Sequence, residues 1–428
     1  MKKLPANPDF HKNNRETLLK SLSHNSVAII VANDQLNRNG DQDFPYRQSS
    51  DLFYLSGIDQ EKTVLALCPD HPDENLREVL FVVKPEPVLE TWTGHKLTVD
   101  EVKQISKIRT VKWIDDMEIS LRDMILSSEN IYVNLNEYVK YQNPVAYSAN
   151  RFAGELREAY PAHQFKRLAP ILTEQRLVKQ TYEIERMQEA CDITGAAFER
   201  VLKFVKPGVY EYEVEAEITY EYLYRGARGH AYQAIVGSGK NALVLHYIEN
   251  NDECKAGDLL LMDFGAEYGN YAADCSRTIP VSGKFTPRQK ACYEAVLRVQ
   301  KEATALFTPG NTIDKINKAV WVMMEKEMIG LGLFTKADVD NQYPANPLFF
   351  KYLMHGVTHF IGLDVHDVGS KYRKLKKGMV LTLEPGIYIK EENIGIRIEN
   401  NIVVEDIPFD LMANIPREVE EIEELMNQ

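Results

Sequence analysis

Short continuous apolar runs alternate with amphipathic stretches along the first part of the chain. Residues 27–32, 63–68 and 79–83 are rich in β-branched side chains and end near turn residues, which predicts three strands. Residues 116–127 and 144–160 carry helical spacing. Together they predict a small α/β domain with its own sheet. The pattern changes near Arg167-Leu168-Ala169-Pro170-Ile171-Leu172, where a long amphipathic helix begins. Its apolar positions Ile184, Met187, Cys191, Phe198, Val201, Leu202 and Val205 recur at the helical period, and Lys206-Pro207-Gly208 stops it. The expected organisation is therefore an N-terminal domain over residues 1–172 and a second domain over residues 173–428.

The second domain reads as a faint repeat. After Pro207-Gly208 a second helix (210–225) is followed by strands around Ala234-Ile235-Val236 and Leu259–Phe264. A helix starting at Thr286-Pro287 then runs to Thr308-Pro309-Gly310, another follows over 312–329, and strands resume at 379–383 and 395–404. Two helix–helix–sheet halves would build one pseudo-symmetric α/β domain with a crevice at the join.

Composition narrows the function. Apolar residues make up 44% and charged residues 26% of 428, as expected of a globular chain. No apolar run approaches the ~20 residues of a bilayer span, and the opening Met1-Lys2-Lys3-Leu4-Pro5 leads into no apolar signal segment. Neither membrane insertion nor secretion is expected. A net charge of −13 disfavours nucleic acid as a partner. Five scattered cysteines without a CxxC pair fit neither a disulfide framework nor a zinc knuckle, and point to a reduced, cytoplasmic protein.

The chemistry lies in acidic residues where a core sheet would not want them. Asp263 is the lone charge within the apolar run Leu259–Phe264, and Asp274 follows the turn Glu267-Tyr268-Gly269-Asn270. A hairpin loop centred between Tyr268 and Gly269 sets Asp263 opposite Asp274. The same geometry, through a turn near Glu391-Glu392, sets Glu384 opposite Glu399, although Pro385-Gly386 predicts a bulge there. Arg397, two residues from Glu399, would share its face and orient it.

Facing carboxylates repel unless a cation sits between them. Between the pairs lie His355, His359 and His366. The spacing of His355 and His359 suits one helix face, but Gly356-Val357-Thr358 are poor helix formers, and the glutamate of HExxH is missing. Four carboxylates and an imidazole favour hard cations, and the charge calls for two. Two divalent ions can share a hydroxide and polarise a carbonyl, so amide hydrolysis is the natural reaction.

At these residues the sequence resembles the Xaa-Pro aminopeptidases (aminopeptidase P), within the group that holds prolidase, methionine aminopeptidase and creatinase. The resemblance spans nearly the whole chain. It rests on residues 46–57, Thr91-Trp92-Thr93-Gly94, residues 235–239, Leu245-His246-Tyr247, Met262-Asp263-Phe264-Gly265 and residues 273–278. It continues through residues 355–369, residues 383–388 and Gly395-Ile396-Arg397-Ile398-Glu399.

The resemblance implies a pita-bread catalytic domain, a pseudo-symmetric α/β fold. It implies a dinuclear site on Asp263, Asp274, His359, Glu384 and Glu399, with Asp274 and Glu399 bridging both ions. Mn²⁺ is the ion implied first, with Co²⁺, Zn²⁺ and Fe²⁺ as alternatives. A bridging hydroxide would attack the bond before proline, with Glu384 as general base. His246 and His366 would hydrogen-bond substrate and oxyanion, His355 would face the leaving proline, and Arg397 and Tyr388 would complete the site. Substrates would be peptides with proline second, and the assembly a homo-oligomer, dimer or tetramer.

Trp92 resembles a residue that reaches a neighbouring subunit's site, and core packing is an equal reading for it. Residues 366–378 are shorter and more basic than in many relatives. Prolidase, acting on X-Pro dipeptides with the same ligands, and a silent binding scaffold are the rival readings.

Overall fold

The computed structural model describes residues 4–138 and 145–428. The chain divides after Arg176 into two compact units, Leu4–Arg176 and Leu177–Gln428.

The N-terminal unit is built on a six-stranded sheet. Its strands are β1 (Ser26–Val31), β2 (Val64–Leu67), β3 (Glu78–Val82), β4 (Thr110–Trp113), β5 (Asn130–Val133) and β6 (Gln164–Arg167), in the order β4-β3-β2-β1-β5-β6. β1–β2 and β2–β3 pair antiparallel; the outer pairs are parallel. Every residue of β1, β2 and β5 is buried, because helices cover both faces, and this explains runs that are continuously apolar rather than alternating. One face packs Val27, Ile29 and Phe81 against Met124 and Ile125 of the helix Met117–Leu126 and Leu156 of the helix Ser148–Ala159. The stretch predicted helical over 144–160 begins outside the described residues.

Beyond the sheet, Arg15 of the helix α1 (Pro8–Leu19) is buried and donates to the carbonyls of Leu55 and Ser106 at 2.7 and 2.8 Å and to Glu78 at 2.5 Å. It thereby satisfies carbonyls at the C-terminal ends of two helices, Ser50–Ser56 and Val99–Ser106.

In the second unit, helices pair as the repeat predicted. α2 (Thr181–Phe204) lies against α3 (Glu211–Tyr224), and α4 (Pro287–Thr304) against α5 (Ile313–Gly330). Gly208 and Gly310, in the turns that follow each first helix, take left-handed φ of +95° and +92°. The first helix of the second half starts with a capping box, in which Thr286 Oγ1 accepts from Gln289 N while Gln289 Oε1 accepts from Thr286 N. It ends at Thr304, one turn before the predicted stop, and turns occupy the residues up to Gly310.

Between the helix pairs stand two bent hairpins. The first is β7 (Leu259–Phe264) and β8 (Ala266–Tyr268), returning as β9 (Tyr271–Ala272) and β10 (Cys275–Pro280). The second is β11 (Val380–Leu383) and β12 (Gly386–Ile389), returning as β13 (Ile394–Arg397) and β14 (Asn400–Val403). Each ladder breaks in its middle, and the breaks fall at Gly265 with Ala273-Asp274 and at Glu384-Pro385 with Ile398-Glu399.

Candidate metal centre

The acidic residues sit where the hairpins bend. In the first hairpin the turn is Gly269-Asn270, with φ of +59° and +68°, so Tyr268 pairs with Tyr271. The predicted turn, Tyr268-Gly269, would force a tyrosine to positive φ, which glycine and asparagine tolerate far better. The ladder is therefore shifted from the expected one: Asp263 faces Ser276, not Asp274. Asp274 is the diagonal neighbour on the same face. The two carboxylates still converge, and the Tyr232 hydroxyl lies 2.6 Å from an oxygen of each. Gly265 makes the bend feasible, since a Cβ there would stand 1.9 Å from the Ala273 carbonyl oxygen.

In the second hairpin Leu383 pairs with Asn400 and Gly386 with Arg397, so Glu384 and Glu399 lie opposite each other as predicted. The bulge expected at Pro385-Gly386 is absent, and Ile398 N donates to the Pro385 carbonyl at 3.3 Å in unbroken register. Proline interrupts the ladder by its missing N–H without adding a residue. The two hairpins meet where Glu399 N donates to the Ser276 carbonyl at 3.0 Å.

The histidine segment is extended rather than helical. His359 and Thr382 exchange bonds (His359 N to Thr382 Oγ1 at 3.1 Å, Thr382 N to the His359 carbonyl at 2.9 Å), and Glu384 N donates to the Val357 carbonyl at 3.0 Å. These bonds carry His359 beside Glu384. Its Nδ1 is 3.0 Å from the Phe360 carbonyl, which makes Nδ1 the protonated nitrogen. Nε2 then faces Asp274 at 3.3 Å and Glu384 at 3.8 Å.

Ligand atoms of Asp274, His359 and Glu399 lie within 4.8 Å of one another. The side chains of Asp274, Asp263, Glu384 and His359 are only 7% to 22% exposed, so water screens their mutual repulsion little.

Electrostatics follow. Burial pushes Glu384 up to about 7, and burial with Asp274, Glu384 and Asp263 nearby holds Glu399 well above the carboxylate range. Burial also raises Asp263 despite the Arg397 guanidinium at 2.7 Å. For His359, burial pulls downward but is outweighed by the Asp274 hydrogen bond and the charges of Asp274 and Glu384, lifting it to about 9. Buried carboxylates crowded around an imidazole whose Nε2 is turned toward them form a donor set that fits divalent cations.

Around this core, Arg397 Nη1 donates to the Tyr388 hydroxyl at 2.9 Å, which lies 3.0 Å from His355 Nε2. Arg397 reaches Glu399 by way of Ser276: Nε donates to Ser276 Oγ at 2.7 Å, and Ser276 donates to Glu399 at 2.7 Å. Its direct carboxylate partner is Asp263. Burial, then Arg397, pushes His355 down to about 4. The exposed His246 stands near enough to His355 to act on it electrostatically. The exposed His366 ring packs edge-on to His359 at 4.4 Å. Trp92, at 84% exposure, is no core residue.

Tyr232 and Ser276 escaped sequence reasoning. Ser276 was findable, because it is two residues from Asp274 and shares its face. Tyr232 had no signal, since it enters through a loop held by the Ala231 N–H on the Gly265 carbonyl at 2.8 Å.

With that geometry in view, comparison with known proteins is specific. Residues 185–406 match the metallopeptidase family M24, and residues 11–132 match the aminopeptidase P N-terminal domain. The chain is similar to the Xaa-Pro aminopeptidase of Haemophilus influenzae (34% identical, covering 100% of this chain and 99% of that one). It is similar likewise to the Xaa-Pro aminopeptidase of Escherichia coli (35% identical, 96% of each chain). Two solved structures of Escherichia coli aminopeptidase P, one with the inhibitor Pro-Leu and one zinc-substituted with product, superpose with a TM-score of 0.89 at 33% identity, covering 99% of each chain.

Proposed function

The chain belongs to metallopeptidase family M24 and is a metallo-aminopeptidase, and from that premise we propose that it removes the first residue from peptides with proline in second place. The observation that carries the reading is the convergence of Asp274, His359 and Glu399 within 4.8 Å, with Asp263 and Glu384 beside them. In this proposal Asp274 and Glu399 would be shared in holding two divalent ions, with Asp263 on one side and His359 and Glu384 on the other. Bound ions, Mn²⁺ first and Co²⁺, Zn²⁺ or Fe²⁺ as alternatives, would lower the pKa of a water and polarise the scissile carbonyl.

The remaining work falls to the chain. Glu384 takes a proton on its carboxylate and returns it to the departing proline nitrogen. Asp263, held by Arg397 and Tyr232, accepts from the substrate's free amine and so restricts cleavage to the first bond. His355 is fixed by Tyr388 at its Nε2 and faces the proline side. His246 and His366 hydrogen-bond the substrate and the developing oxyanion. An X-Pro bond offers no N–H, so recognition must come from a pocket for the ring.

Five buried free cysteines support a reducing, cytoplasmic setting, and the exposed Trp92 supports assembly into a homo-oligomer. Among the described residues no helix is long and apolar enough to cross a membrane.

The test is metal content per chain measured together with products from Gly-Pro-Ala and Gly-Pro, before and after EDTA and Mn²⁺ add-back. Mn²⁺-restored release of glycine from the tripeptide supports the reading. Cleavage of the dipeptide alone would make the chain a prolidase, and no metal-dependent cleavage of either would refute the proposal.

A further inference from the structure

One fully buried pair of charges in the second unit is not used by the mechanism. Lys179 Nζ donates to Asp367 Oδ2 at 2.8 Å, and each side chain is 1% exposed. The Gly362 backbone covers the pair, for a Cβ there would lie 2.3 Å from Asp367 Oδ2 and 2.9 Å from Lys179 Nζ. Nearby lies Glu183, raised to about 7 chiefly by burial, which accepts from the Tyr271 hydroxyl at 3.0 Å.

An ion pair this dry contributes no more stability than apolar residues of the same volume, so stability alone does not account for it. Its place in the chain does. Lys179 is anchored just ahead of α2 by its N–H on the Gly378 carbonyl at 2.8 Å. Asp367 follows His366, and its N–H donates to the carbonyl of Phe360, the residue after His359, at 2.9 Å. The Asp367 backbone thus closes the 359–367 loop onto Phe360, and Lys179 holds Asp367 in place through its side chain. On its other side that loop holds the two imidazoles edge to face at 4.4 Å.

We propose that Lys179 and Asp367 are positioning residues that set the aim of His359 and His366. The inference rests on reading the site as a metal centre. Removing one partner strands a buried charge and will destabilise the fold whatever its role, so the informative variant removes both, Lys179→Met with Asp367→Leu.

Three quantities are compared with wild type: melting temperature, metal affinity by competition titration, and kcat and KM on Gly-Pro-Ala at saturating metal. Positioning predicts a melting temperature within a few degrees, metal affinity weaker by about tenfold, and kcat lower by at least about tenfold. A merely structural role would move melting alone. Metal affinity and kcat within about threefold of wild type at normal melting would overturn the proposal. Should the double variant not fold, the near-isosteric Asp367→Asn, which strands the Lys179 charge and lowers melting in either case, is read by metal affinity and kcat alone against the same thresholds. If wild type itself cleaves no X-Pro peptide, the functional reading falls, while the metal-affinity arm still tests this one.

Discussion

Replacing Gly265 with alanine tests the site at its hinge. The added Cβ would stand 1.9 Å from the Ala273 carbonyl oxygen, 2.6 Å from its carbon and 3.2 Å from Asp274 N. All three are backbone atoms, so no side chain can swing aside. Ordinary contact begins near 3.4 Å, so the facing strand must retreat by roughly 1.5 Å, and Asp274 travels with it. A displacement near 1 Å in a reacting constellation costs about 100-fold, or ~2.7 kcal/mol of transition-state stabilisation. The Gly265→Ala enzyme should lose about 100-fold in kcat/KM on Gly-Pro-Ala and retain less metal per chain after dialysis. Gly330→Ala is the control in the same unit, since nothing lies within 4 Å of its added methyl. Wild-type kinetics and metal content in Gly265→Ala would show that the bend does not govern where Asp274 sits.

Other outcomes separate the roles assigned above. Asp274→Asn and Glu399→Gln should each lose bound metal and activity together, whereas His246→Ala and His366→Ala should lower kcat with metal retained; metal-free histidine variants, seen by elemental analysis, would make those residues ligands. Ser276→Ala cuts the Arg397–Ser276–Glu399 link and should weaken metal binding by about tenfold, with Ser276→Thr near wild type in the same titration. Equal affinities would remove Ser276 from the site.

In the N-terminal unit His11 lies beside the Tyr54 carbonyl, and burial pushes it down to about 4 from 6.5. Between those values the unfolded chain binds the extra proton, so stability is full above pH 6.5 and falls as pH drops through the window, by ~3 kcal/mol at the limit. Urea titrations from pH 7.5 to 4 should show that slope in wild type and a shallower one in His11→Asn; identical slopes would contradict it.

Much of this was legible from residue order alone. Apolar runs located β1, β2, β3 and β7, and the Pro-Gly stops marked both helix pairs, because these signals are local. The pairing of Glu384 with Glu399 was legible too, since the register carries through Pro385 without a bulge. The first hairpin misled because an Asn in left-handed conformation competes with Gly for the turn centre, and a turn moved by one residue shifts every partner. Tyr232 and the Lys179–Asp367 pair were invisible for another reason. Lys179 and Asp367 stand 188 positions apart and meet only through packing. The α/β class and pseudo-symmetric catalytic unit agree with the family match and the superposed relatives.

The bent hairpins carry one more consequence. Asp263 and Asp274 come from one half of the repeat, and His359, Glu384 and Glu399 from the other, so on the proposed assignment neither half would own a complete coordination set. Cations seated there would act as a rivet across an internal seam, and chelation would leave two anionic faces pressed together. Amide exchange at Glu399, whose N–H crosses that seam to Ser276, should therefore quicken when EDTA is added and slow again on reloading.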